Sequence, residues 1–280
     1  MNRRTLGRKY QEIAEQFRDD LGGDVDSDQP QLRTFDDRID LSNDNIKSLL
    51  LNERLFPTDI DLIHRSNLAL DKAILTQARR DYVLETSDMR GGRLSPNTLS
   101  QAFESKEYSL KLYSVDSMSD HAMALRSAFT SVFNSRFTCN LYFSVKDGAA
   151  IAPPHIDSYD VFLFGCQGEK TFHLKGHGDY TLTPGKALYI PKHVEHHALP
   201  CSDDTIHLTL GYHPLTFQEA FQLAYKKDLK MRQLLDSPLL NTQDKVGCSQ
   251  HLEKINSKLQ DFLASTPTFT THKTNEKDTP

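Results

Sequence analysis

Between Thr138 and Tyr212 the chain reads as a succession of barrel strands, and two segments of this stretch carry side chains that a later strand folding back beside an earlier one would unite. Pro153-Pro154-His155-Ile156-Asp157 comes first. Leu188-Tyr189-Ile190-Pro191 follows and leads to His196, 41 residues after His155. In an extended segment alternate residues share a face, so His155 and Asp157 converge while Ile156 turns into the opposite layer. A third group must come from elsewhere, and a later strand folding back beside the first in a β-barrel supplies it. Two neutral imidazoles and one carboxylate leave part of a metal's coordination sphere open, the arrangement typical of non-haem Fe(II) sites.

A His-x-Asp triplet alone is common on solvated loops. Here eight of the twelve histidines fall between His155 and His213, more than one metal can use. His173, His177, His193 and His213 are expected to be surface or internally satisfied groups. By residue type alone the third ligand is His193, His196 or His197. Glu195 and His196 are adjacent, point in opposing directions, and should not both coordinate. After the apolar strand Val161 to Cys166, Gln167-Gly168 has the form of a hairpin turn, and Lys170 then shares a face with Phe172 and Leu174. A lysine on an apolar face is costly unless an anion neutralises it; the alternative is an edge-strand lysine in water. Asn140 and Tyr142 alternate with Leu141 and Phe143 and so share a polar, inward side, either as pocket groups or as hydrogen-bonding elements of the wall.

Asn140-Leu141-Tyr142-Phe143, the Pro-Pro-His-x-Asp run, Asp160-Val161-Phe162, Gly168-Glu169-Lys170, Leu188-Tyr189-Ile190-Pro191 and Ile206-His207-Leu208-Thr209 occur in that order. Across roughly Ser95 to Pro214 they resemble the JmjC-type, cupin-like oxygenases, and within them the branch of the ribosomal oxygenases. The resemblance implies a mainly β fold, a double-stranded β-helix (jelly roll) with N- and C-terminal helices, that uses Fe(II), 2-oxoglutarate and O2. It implies that His155, Asp157 and His196 are the catalytic metal ligands, His196 because the family ligand lies five residues after the proline of the Leu-Tyr-Ile-Pro strand. It makes Lys170 the cation for the far carboxylate of 2-oxoglutarate, and puts Asn140 and Tyr142 at cosubstrate-pocket positions. Two departures stand out: Phe172 occupies a place where relatives often carry tryptophan, and Gly211 one where some carry a hydroxyl, which Thr209 is expected to replace. The implied activity is hydroxylation of a C–H of a protein, peptide or amino-acid substrate, with release of succinate and CO2. A cupin metalloenzyme that does not use 2-oxoglutarate, and a non-catalytic metal- or ligand-binding cupin, are the rival readings; neither needs Lys170.

At 280 residues the chain can bury one good core with a helical appendage. Its net charge of −5 offers no broad field for nucleic acid or anionic membrane. The basic cluster Lys226, Lys227, Lys230 and Arg232 reads as the solvated face of a helix. Four cysteines, at 139, 166, 201 and 248, form no Cys-x-x-Cys pair, which favours a reduced compartment and argues against structural zinc. With no secretory signal and no run of transmembrane length, the expected location is cytoplasmic.

The expected organisation is an N-terminal helical and mixed region (1–94), the catalytic barrel with its leading helices (95–214), C-terminal helices (215–265) and a disordered polar tail (266–280). Tyr10, Ile13, Ala14, Phe17 and Leu21 repeat at helical spacing, with Gly22-Gly23 as the stop and Asp24 to Gln31 as a linker. Leu99 to Phe103 and Met118 to Phe133 are expected as helices around a strand Tyr108 to Tyr113. Thr216-Phe217-Gln218-Glu219 has capping-box form, heading a helix that buries Phe217, Phe221, Ala224 and Tyr225. After Ser249 a stripe of Leu252, Ile255, Leu259, Phe262 and Leu263 needs a partner, supplied by the preceding helix or by a second copy in a homodimer. Too little chain follows the barrel for the winged-helix domain of the ribosomal oxygenases, which weakens direct transfer of their ribosomal-protein substrate.

Overall fold

Along Arg136–Ser144 (β4) Phe137, Cys139, Leu141 and Phe143 are buried while Thr138, Asn140 and Tyr142 are less so, and this alternation lays one face on helices and turns the other inward. Val161–Gln167 (β5) is buried on both faces. Phe162 and Phe164 point into the helix-side core, whereas Val161 and Leu163 join Phe172, Leu174, Leu182, Leu188 and Ile190 in a second core. The structure, a computed structural model, describes residues 3–22, 27–35, 38–39, 41–52, 55–65, 72–88, 92–147, 153–214, 217–236 and 245–265.

The remaining elements of the larger unit are α1 (Arg3–Asp20), β1 (Gln31–Thr34), α2 (Asn43–Asn52), β2 (Ile60–His64), α3 (Lys72–Thr86), α4 (Pro96–Glu104), β3 (Tyr108–Leu112), α5 (Asp120–Phe133), β6 (Lys170–Leu174), β7 (Gly178–Leu182), β8 (Lys186–Ile190), β9 (His196–Ala198) and β10 (Thr205–His213). Among the described residues seven strands form one sheet in the order β1-β8-β5-β10-β4-β3-β2, and three form another, β7-β6-β9. This is a jelly roll with helices on its outer face.

The Gln167-Gly168 turn does not make the expected hairpin. β5 pairs with β8 and β10, whereas β6 pairs with β7 and β9, so the turn carries the chain from one sheet to the other. Gly168 sits at φ +69°, and a β-carbon there would overlap the carbonyl oxygen of Asp204. Gly165 is similarly constrained, because a β-carbon there would overlap the carbonyl of Thr183.

Residues 1–94 do not stand apart from the barrel. β1 extends the sheet beside β8, β2 extends it beside β3, and Phe17 of α1 packs edge-on against Phe162 with ring centres 5.3 Å apart. The helical stripe therefore supplies one wall of the main core, with Tyr10, Ala14 and Phe17 fully buried. α1 ends before Gly22 at φ +78°; Gly23 to Asp26 lie outside the described residues.

A second unit comprises 134–136 and 214–280. Its helices are α6 (Phe217–Lys227), α7 (Leu229–Leu235) and α8 (Lys245–Ser265). Ala224, Met231, Leu259 and Phe262 form its core, with Phe221, Leu235 and Ile255 packed on it. The α8 stripe is thus met from within the chain by α6 and α7. Two expectations change here: Tyr225 is exposed, its hydroxyl donating to Asp236 Oδ1 at 2.9 Å, and Leu252 is 64 % exposed. Thr216, the side chains of Phe217 and Leu263, and the tail 266–280 fall outside the described residues. Asp228 caps α7 by accepting from the N–H groups of Lys230 and Met231, and Arg232 closes α6 by donating to the carbonyls of Tyr225 and Lys226. Lys226, Lys227, Lys230 and Arg232 are all exposed. Among the described residues no helix is long and apolar enough to cross a membrane.

Candidate functional site

His155 and His196 meet through an antiparallel bridge in which each backbone N–H donates to the other's carbonyl, at 3.1 and 2.9 Å. Their rings lie 4.4 Å apart, and Asp157 Oδ2 stands 4.0 Å from His155 Nε2 and 3.7 Å from His196 Nε2. Nδ1 of His155 lies 2.9 Å from Pro153 O, and Nδ1 of His196 lies 3.0 Å from Val194 O. A carbonyl can only accept, so both Nδ1 atoms carry protons and both Nε2 atoms present lone pairs to the same point. Burial pushes the His196 pKa down, against the pull of Val194 O, and keeps its imidazole neutral as a ligand must be. These three residues form the one group able to hold a metal ion among the described residues, with donor atoms all within 4.8 Å of one another.

The two ligand-bearing segments are tied together behind the site. Asp160, 3 % exposed, accepts from Tyr189 Oη at 3.0 Å and from the Lys192 N–H at 2.9 Å, and the His193 N–H donates to Asp157 O at 3.1 Å. His193 itself is exposed at φ +71°, so its ring takes no part. His197 faces outward beside His173, ring centres 5.3 Å apart, as strand alternation from His196 requires. Glu195 pairs with Lys175 at 3.1 Å.

The triad lies on a cavity that is lined also by Tyr142, Ser144, Val161, Leu163, Lys170, Phe172, Ala198, His207 and Thr209. Lys170 is 2 % exposed and no edge-strand lysine in water. Among the described residues its Nζ has a single polar partner, Cys201 Sγ at 3.8 Å, and burial lowers its pKa. Tyr142 and Thr209 line the cavity, whereas Asn140 does not: its Oδ1 accepts from the N–H of Ser114, which sits at φ +49°. Asn140 secures the turn after β3, because one strand face is longer than the cavity it borders.

His207 was not singled out by sequence reasoning. It is 5 % exposed, stacks on Tyr142 with ring centres 4.9 Å apart and 4° between planes, and meets Phe172 edge-on at 5.4 Å. Its Nδ1 is buried without a hydrogen-bond partner among the described residues, and burial beside the Lys170 charge lowers its pKa to about 3. Alternation with Thr209 along β10 was the signal that could have found it. Among the described residues the cavity holds a buried ammonium with no carboxylate and a buried ring nitrogen with no partner, a combination that suits an anionic ligand with acceptor oxygens. Beside them the two Nε2 lone pairs and the carboxylate suit a divalent metal. The residues present therefore fit a metal and a carboxylate-bearing ligand together.

Residues 141–210, which hold all of these groups except Asn140, match the cupin domain family, and the chain has a cupin fold. The same architecture is found in the ribosomal oxygenase YcfD of Escherichia coli. One YcfD structure superposes with a TM-score of 0.50 at 18 % identity, covering 86 % of this chain and 64 % of that one. Another, a complex with cobalt and 2-oxoglutarate, gives 0.53 at 17 % identity over 90 % of this chain and 68 % of that one, and a complex with cobalt and succinic acid gives 0.50 at 18 %. The chain thus spans about two thirds of the length of these proteins. No curated protein matches it by sequence.

Proposed function

We propose that this protein is an Fe(II)- and 2-oxoglutarate-dependent oxygenase that hydroxylates a C–H of a protein, peptide or amino-acid substrate and releases succinate and CO2. The observation that carries this reading is the buried Lys170 ammonium, without a carboxylate partner, in the same cavity as an open His-Asp-His triad. His155, Asp157 and His196 would hold the metal, which when bound supplies redox activation of O2 coupled to decarboxylation of the cosubstrate.

The chain's own residues do the rest. Three protein donors on one side leave the opposite side of the site for cosubstrate and oxygen. Lys170 neutralises the far carboxylate of 2-oxoglutarate, and the free ring nitrogen of His207, held in place by Tyr142 and Phe172, is available to a carboxylate oxygen. Tyr142 and Thr209 offer hydroxyls to the same ligand. Val161, Leu163, Phe172 and Ala198 form the apolar wall and exclude water, so the charge on Lys170 acts in a low dielectric. The structures of YcfD with cobalt and 2-oxoglutarate support the reading, as they pair this fold with such a ligand.

The test is anaerobic titration of the iron-loaded protein with 2-oxoglutarate, followed by its visible charge-transfer band, and then succinate release on admitting O2. Binding with succinate formation supports the oxygenase. Iron binding with neither would leave a cupin of different chemistry.

A further inference from the structure

Lys111 stands just outside the cavity. It lies opposite Tyr142 on β4 and Asp61 on β2, so Asp61, Lys111 and Tyr142 form one row across three strands, running from the sheet edge to the cavity wall. Its Nζ sits 4.3 Å from the ring centre of Tyr113 and 5.1 Å from that of Tyr142. Two aromatic faces hold the ammonium at the rim, yet it makes no ion pair or hydrogen bond among the described residues. The carboxylates whose charges reach it are Asp61 and Asp157. Asp61 accepts from the Tyr113 hydroxyl at 2.6 Å, and Asp157 is one of the three residues that would hold a metal.

Among the described residues this part-buried cation near the metal-holding triad therefore has no carboxylate at ion-pair distance, although the charges of Asp61 and Asp157 reach it. We infer that Lys111 is a substrate-recognition residue that receives a carboxylate of the substrate, so that the molecule oxidised here carries an acidic group close to the attacked C–H. The inference rests on the oxygenase reading of the cavity. Tyr113 and Tyr142 fix the ammonium by cation–π contact and leave its three N–H donors for the incoming oxygens. The burial that lowers the pKa of Lys111 also strengthens its attraction for such a group.

The experiment uses the full chain loaded with iron and 2-oxoglutarate and two probe sets. One is the free L-amino acids with their α-carboxamide counterparts. The other is a series of blocked pentapeptides with Asp, Glu, Asn, Gln, Leu, Lys or Arg at the centre. Succinate above the substrate-free level and a mass gain of one oxygen on the probe are read together. Stimulation confined to carboxylate-bearing probes is expected, either free amino acids but not their amides, or the Asp and Glu peptides. For such a probe Lys111→Met should lose roughly tenfold or more in kcat/KM, mostly through KM, with partial rescue by Lys111→Arg and no change in 2-oxoglutarate affinity. A lysine that only braces the sheet would change stability and leave probe selection alone. Preference for Lys or Arg peptides, indifference to the carboxylate, no stimulated probe, or an unaltered KM in Lys111→Met overturns the inference. If wild-type protein binds no 2-oxoglutarate, the oxygenase reading itself fails and this inference falls with it; if it binds and turns over, only the role of Lys111 is at stake.

Discussion

Replacing Lys170 with methionine should move two observables in opposite directions. The ammonium is 2 % exposed, its one polar contact among the described residues is a thiol sulfur at 3.8 Å, and burial holds its pKa below the ordinary lysine value. A lysine whose folded pKa lies below its unfolded one destabilises the fold wherever it is charged, at all pH below about 10.5. Methionine keeps much of the volume and removes the charge, so the ligand-free protein should gain on the order of 1–3 kcal/mol. The cosubstrate loses a charge-assisted hydrogen bond worth about 1.5–3 kcal/mol, which is roughly a ten- to hundredfold weaker dissociation constant. Urea denaturation of the metal-free protein gives the first quantity, and anaerobic 2-oxoglutarate titration of the iron form gives the second. Iron affinity should not change, because Lys170 is no metal ligand. Lys170→Arg should retain partial binding, since a guanidinium also receives a carboxylate but displaces it with a larger planar head. An unchanged 2-oxoglutarate affinity, or a destabilised ligand-free protein, would refute the assignment of Lys170 to an anion pocket.

Alanine at His155, Asp157 or His196 should abolish tight iron binding under anaerobic conditions, whereas His193→Ala and His197→Ala should preserve it; normal binding by His196→Ala would show that the third ligand lies elsewhere. His207, with a folded pKa of about 3 against an ordinary 6.5, leaves stability untouched above pH 6.5 and removes it as the pH falls from there towards 3, since only the unfolded chain takes up the proton. The slope is about 1.4 kcal/mol per pH unit, and in denaturation midpoints between pH 4.5 and 7.5 His207→Leu should show a shallower fall than the wild type. Leu259 is 2 % exposed, so Leu259→Glu should lose helical circular dichroism from the second unit, while Leu252→Glu at a 64 % exposed site should change stability by less than about 0.5 kcal/mol. Light scattering on Leu252→Glu and wild type then tests whether α8 also joins two copies, because that substitution alters the surface without unfolding it.

Much of the candidate site was legible in the sequence because strand geometry is local. Alternation put His155 and Asp157 on one side, set Glu195 apart from His196, and grouped Lys170 with Phe172 and Leu174, while the resemblance carried by the order of short motifs pointed to a jelly roll and to His196. The helical spacing of Tyr10, Ala14 and Phe17 likewise named a buried face before its partner was known. Partners are a different matter, since they depend on which segments meet in space. The Gln167-Gly168 pair has the chemistry of a hairpin turn, yet only the pairing of β5 with β8 and β10 shows that it crosses between sheets. Asn140 and Tyr142 are indistinguishable by alternation; the turn at Ser114 claims one and the cavity takes the other. His207 gains its significance from Tyr142, Phe172 and Lys170, residues 35 to 65 positions away, and from the partner its Nδ1 lacks. The sequence by itself determined which side chains share a face, because backbone stereochemistry repeats every two residues in a strand and every 3.6 in a helix. The tertiary structure decided which faces confront one another and which charges remain unpaired, because burial and long-range contact are properties of the packed chain.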